Sequence, residues 1–385
     1  MLNKTIQSHG AVLTAQSTSV SRLEDLLRES LSLRVLAIPG PPLMPNAMSD
    51  GCARSKLAVL FSGGLDCTVL ARIAHDLLPN HEPIDLLNVA FENPRIHSSL
   101  VDGSASAYEL CPDRVTGRAS FAELQQACPG RLWRFVAVNV PYTETNEHRQ
   151  AVISLMHPHN TEMDLSISLA LYFAARGQGQ VTDTSNGTTI QYTTSARVLL
   201  SGLGADELFG GYTRHATAYR RGGTPALLDE LQLDVSRLGQ RNLGRDDRVM
   251  SHWGREVRFP YLDEKLLSWA LAVPVDEKCG FAEMPVDAES PYVEDGSMLE
   301  QSKKGLRCLA WKLGMRAVAK EKKRAVSPYT SARLPAVIDE NTDSVRRPHR
   351  EDGSTKDQRD SGDCVVAALA SYAFESTYAT WPSSK

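Results

Sequence analysis

Short apolar runs alternate along this chain with stretches whose apolar residues recur every three to four positions, and that alternation predicts most of its elements. Residues 57–61 (LAVLF) are a continuous apolar run of strand length. Ser62, Gly63 and Gly64 break it with residues that suit a tight turn. After Asp66, the residues Val69, Leu70, Ile73, Ala74 and Leu77 keep helical spacing, and Pro79 lies just past the end. Further strands are expected at 84–91 (IDLLNVAF), 133–140 (WRFVAVNV) and 197–200 (RVLL). Helices are expected at 21–32, within 112–129 with Ser120 as N-cap, at 143–156 and at 164–176. Strands alternating with helices imply an α/β fold: a doubly wound, mainly parallel sheet, followed here by a helical half.

Polar and breaker residues divide the chain. Residues 1–20 are rich in Ser, Thr and Gln and are expected to be disordered, and Pro39, Pro41, Pro42 and Pro45 mark a linker. Residues 177–195 read as an exposed insertion, and 339–363 as a disordered stretch followed by a short apolar segment. The expected organisation is a tail and linker over 1–55, one domain over 56–335, and a polar tail over 336–385.

Composition narrows the function. With 46 acidic against 42 basic residues the net charge is −4, which argues against a general nucleic-acid surface. No apolar run reaches the ~18 residues of a membrane span, and residues 1–20 do not read as a secretory signal. The seven cysteines form no CxxC pair, so reduced thiols and a cytoplasmic location are expected.

The candidate chemistry sits at two glycine-bearing turns. The first, 62–66, aims backbone N–H groups and a helix N-terminus at one point, which suits a phosphate. The second, SGLGADELFGGY at 201–212, follows the fourth strand directly. In a doubly wound sheet both turns would lie at the carboxyl ends of the strands, where ligands bind. Asp206 and Glu207 can hold a hard cation with Asp66, or cap a helix. The charged string Arg241, Arg245, Asp246, Asp247, Arg248 reads as a solvated, self-paired surface. His157 and His159 flank Pro158 in what reads as a surface loop, and Trp133, Trp253, Trp269 and Trp311 read as core.

SGGLD at 62–66 resembles the PP-loop of ATP pyrophosphatases, and together with SGLGADELFGGY it resembles the synthetase domain of asparagine synthetases. GREVRFPYLDEKLL (254–267) and KGLRCLAWKLG (304–314) follow the same family order, and the resemblance covers roughly 20–335. It implies an adenine nucleotide alpha hydrolase-like fold and an ATP-dependent amide ligase that adenylates a carboxylate such as aspartate for attack by ammonia. By the same resemblance Ser62, Gly63 and Gly64 would hold the pyrophosphate, Cys67, Ser201 and Gly202 would complete the nucleotide site, Val89 would contact adenine through its backbone, Asp66 and Asp206 would bind Mg²⁺, and Lys304 and Lys323 would neutralise the transferring phosphoryl group. Three positions depart from the family. Cys67 replaces a Ser, Leu203 replaces an acid–base Glu, and Leu2 stands where glutamine-using members carry a Cys nucleophile. A separate glutaminase source of ammonia is therefore expected, and an ATP-binding protein that has lost ligation is the alternative.

Overall fold

The structure, a computed structural model, describes residues 2–5, 12–40, 53–94, 106–182, 187–283, 296 and 298–322. Lys323 and the tail from 336 lie outside the described residues. Among the described residues the sheet has seven strands: β1 (Leu57–Leu60), β2 (Ile84–Phe91), β3 (Trp133–Val140), β4 (Gln178–Thr182), β5 (Thr189–Thr193), β6 (Val198–Leu200) and β7 (Glu256–Arg258), in the order β5-β4-β3-β2-β1-β6-β7. β1, β2, β3, β6 and β7 are parallel, while β4 and β5 form an antiparallel hairpin on the β3 edge.

Side chains alternate across the central strand, so each face of the sheet has its own core. Leu57, Val59 and Phe61 point to one layer, built with α1 (Thr18–Val35), α2 (Leu65–Leu77) and α10 (Lys304–Lys312). Ala58 and Leu60 point to the other, packed on α4 (Tyr142–Met156), α5 (Glu162–Arg176) and α8 (Leu243–Ser251). Coverage on both faces explains why β1 and β6 read as unbroken apolar runs. The chain runs β1 to β2 to β3 in one direction and then returns to β6 on the other side of β1. The carboxyl ends of β1 and β6 are thus a topological switch point, the crevice in which doubly wound sheets bind ligands.

Four expectations change. Residues 177–195 are not merely an insertion: β4 and β5 extend the sheet, and their exposed, polar faces hid the strand signal. The second half contributes β7, only three residues long. The polar N-terminal segment is anchored at its described residues, because Leu2 and Leu13 are buried and Asn3 donates its N–H to the Leu271 carbonyl at 2.7 Å. Ser120 is not an N-cap. It lies inside α3 (Pro112–Ala127), whose first residue is the proline.

Candidate active site

The first turn is shaped by α3. Gly63 has φ +82°, and a Cβ there would lie 2.5 Å from the Gly117 Cα, so only glycine allows this contact. Ser120 Oγ donates to the Gly63 carbonyl at 2.6 Å. Asn88, midway along β2, donates to the carbonyls of Phe61 (2.9 Å) and Asp113 (3.0 Å). Fully buried Arg114 locks this joint, donating to Asn88 Oδ1 at 2.7 Å, Asn139 Oδ1 at 2.8 Å and Glu109 Oε1 at 2.7 Å. Within the turn, Ser62 Oγ accepts the Gly64 N–H at 3.3 Å. The Cys67 thiol is buried and donates to the Gly64 carbonyl at 3.3 Å, and burial pushes its pKa up.

The second turn lies against the first. A Cβ at Gly202 would come within 2.9 Å of Asp66 Cβ. Gly204, φ +92°, reverses the chain into the short helix α6 (Ala205–Phe209), which carries Asp206 and Glu207. Asp206 is only 1% exposed, and between it and Asp66 stands Lys303. Its Nζ is 2.7 Å from Asp66 Oδ2 and 2.7 Å from Asp206 Oδ1. Burial opposes the charge on Lys303, but Asp206 and Asp66 outweigh it, so the ammonium pKa is raised. Gly211 completes the cradle, since a Cβ there would lie 1.9 Å from Asp206 Oδ1 and 2.1 Å from Lys303 Cε. Lys303 itself takes a left-handed backbone, φ +53°, just ahead of α10, and donates its N–H to the Phe209 carbonyl at 3.0 Å.

Glu207 faces away from that pair. Its Oε1 accepts from Tyr212 at 2.6 Å, while Oε2 has no hydrogen-bond partner among the described residues. Burial first, and Asp206 second, push its pKa up to about 8. It lines a cavity of about 230 Å³ with Tyr212, Arg214, Asp234, Asp164 and Arg245. Arg245 and Asp246 are buried, not solvated: Arg245 Nε meets Asp246 Oδ1 at 2.6 Å and its Nη1 bonds Asp164. Asp247 alone of that acidic pair is exposed.

The sequence-chosen residues therefore divide. Ser62, Gly63, Gly64, Asp66, Cys67, Ser201, Gly202 and Asp206 converge on the β1–β6 crevice. Val89 sits on β2 opposite Val138 of β3, and Leu203 is fully buried in the core. Lys304, buried at the start of α10, pairs with Glu283. The sequence points to Lys304, whereas its neighbour Lys303 is the lysine between the two aspartates. The helix starts one residue later than the lysine that reaches the carboxylates, and the doublet Lys303-Lys304 was the only local signal.

A profile of the family described as asparagine synthase matches residues 189–229 and 222–329. Over residues 189–329 the chain is similar to the asparagine synthase family. It is 36% identical over 306 residues to asparagine synthetase domain-containing protein 1 of Gallus gallus, covering 71% of this chain and 48% of that one. The same protein of Bos taurus is 38% identical over 289 residues, covering 67% and 45%. A putative glutamine-hydrolyzing asparagine synthetase of Methanocaldococcus jannaschii is 38% identical over 143 residues, 37% of this chain and 25% of that one. The chain spans about half the length of the first two relatives.

The donor set between the two turns fits a divalent metal. Asp66 and Asp206 already share one cation, the Lys303 ammonium, and hard carboxylate oxygens are the ligands Mg²⁺ prefers.

Proposed function

We propose that this chain is an ATP-dependent amide ligase of asparagine synthetase type. The observation that carries the reading is the meeting of two distant turns, 62–66 and 201–206, at one buried cation in the switch-point crevice. In this reading the N–H groups of the Ser62–Gly64 turn receive the β- and γ-phosphates. Asp66 and Asp206 would hold Mg²⁺, which when bound would screen phosphate charge. The cavity beside Glu207 takes the carboxylate substrate, with Arg245 and Arg214 for carboxylate groups and Asp164 and Asp234 for an ammonium group.

The substrate carboxylate oxygen attacks the α-phosphorus, and the bond from that phosphorus to pyrophosphate breaks. Ammonia nitrogen then attacks the acyl carbon, the bond to AMP breaks, and the nitrogen sheds a proton to solvent. Incubating the full chain with ATP, Mg²⁺, aspartate and ammonium is expected to yield AMP, pyrophosphate and asparagine in equal amounts. Folded protein that forms none of the three contradicts the ligase reading.

Leu203 favours a second reading, an ATP-binding protein without ligation. Leu cannot move a proton, and it is packed in the core. Loss of one positioned acid–base group costs on the order of 10²–10⁴ in rate. Nucleotide binding with no AMP formation supports that reading, and AMP formation ends it.

A further inference from the structure

The Lys303 ammonium occupies the space that a divalent ion between the same two carboxylates would need. Its Nζ is 2.7 Å from an oxygen of each. A Mg²⁺ bound to those oxygens would sit roughly 2.1 Å from them. Two cations cannot share that position, since repulsion between charges a few ångströms apart is strong away from water. The backbone around Lys303 is built to place its side chain here. Its φ is +53°, its N–H is tied to Phe209, and bare Gly211 makes room for its stem. Buried to 6% exposure, it has no ready escape into solvent.

We infer that Lys303 is a resident cation that a divalent metal must displace, so that the crevice takes metal together with a polyphosphate and not before it. This rests on the nucleotide reading for the identity of the polyphosphate. Without nucleotide, a metal would leave an ammonium and a divalent ion crowded around two carboxylates. A triphosphate supplies new oxygens for the displaced ammonium, which then passes from holding the carboxylates to binding phosphate. Lys303 is in this way both a placeholder and a phosphate ligand, and metal and nucleotide affinities are coupled through it.

The test is Mn²⁺ binding to the full chain by electron paramagnetic resonance, in the absence of nucleotide. Lys303→Met is expected to bind Mn²⁺ about tenfold or more tightly than wild type, because a competing charge is gone. Adding Asp206→Asn to it should return binding to the weak level. Equal or weaker Mn²⁺ binding by Lys303→Met overturns the inference. Lys303→Gln carries the same expectation should the Met variant not fold. Wild type alone also decides the matter: its Mn²⁺ affinity should rise about tenfold when a non-hydrolysable ATP analogue is present, and equally tight binding without the analogue overturns the exchange. An analogue that binds no variant and no wild type contradicts the nucleotide reading, while the nucleotide-free comparison still judges Lys303.

Discussion

Lys303, Asp66 and Asp206 form a charge cluster whose order depends on missing atoms as much as present ones. Gly211→Ala would drive a methyl group into Asp206 Oδ1 and Lys303 Cε. A cost of about 1–3 kcal/mol in urea denaturation is expected, with loss of Mg²⁺-dependent nucleotide binding. Lys278 gives a separate test of buried charge. It is 1% exposed, and burial lowers its pKa from 10.5 to about 8. Its Nζ donates to the Ala270 carbonyl at 2.5 Å, near the end of α9 (Glu264–Ala272). Below pH 8 both folded and unfolded chains hold the proton, and the full burial penalty applies. Between about 8 and 10.5 the unfolded chain binds more proton, so this group's contribution to stability rises with pH by on the order of 3 kcal/mol. Lys278→Met should therefore be more stable than wild type at pH 7, less the lost helix-end hydrogen bond, and that gap should close by pH 10.5. A gap independent of pH in urea titrations would contradict the assignment. Neither lysine was legible by itself: a buried Lys and a surface Lys are written with the same letter, and only the fold separates Lys303 from Lys304.

At the scale of elements, helix α3 is the part of the site that periodicity underestimated. Its existence followed from helical spacing, but its task did not. Asn88, Arg114, Gly117 and Ser120 are polar or small residues on a helix–strand joint, and each alone resembles ordinary surface chemistry. Together they hold the Gly63 turn. Arg114→Met would strip the donor from Asn88, Asn139 and Glu109, and a loss of about 3 kcal/mol in denaturant unfolding is expected. Ser120→Ala should cost only about 1 kcal/mol in the same assay, yet weaken nucleotide binding because it frees the turn. Ser120→Ala protein with unaltered nucleotide affinity would show that the turn needs no such brace. The β4–β5 hairpin escaped detection for the opposite reason: an exposed edge needs little apolar pattern, so Gln and Thr can build it.

For the molecule as a whole, the parallel order was readable because strands buried on both faces are mostly apolar: β1 and β6 are wholly so, and β2 and β3 largely so despite the buried Asp85, Asn88 and Arg134. Knowing the switch point, one can place 62–66 and 201–206 at one edge without coordinates. The third partner in that crevice comes from about a hundred residues further along, at the start of α10, and no spacing rule connects it. The central claim is that these three segments enclose a metal-bound triphosphate. Calorimetric titration of the full chain with ATP, with and without Mg²⁺, tests it most directly, comparing wild type with Asp66→Ala and Asp206→Ala. The account predicts Mg²⁺-dependent binding by wild type and a loss of about tenfold or more in each variant, with the double variant little worse than either. ATP binding that is unchanged by both substitutions, or indifferent to Mg²⁺, would contradict it.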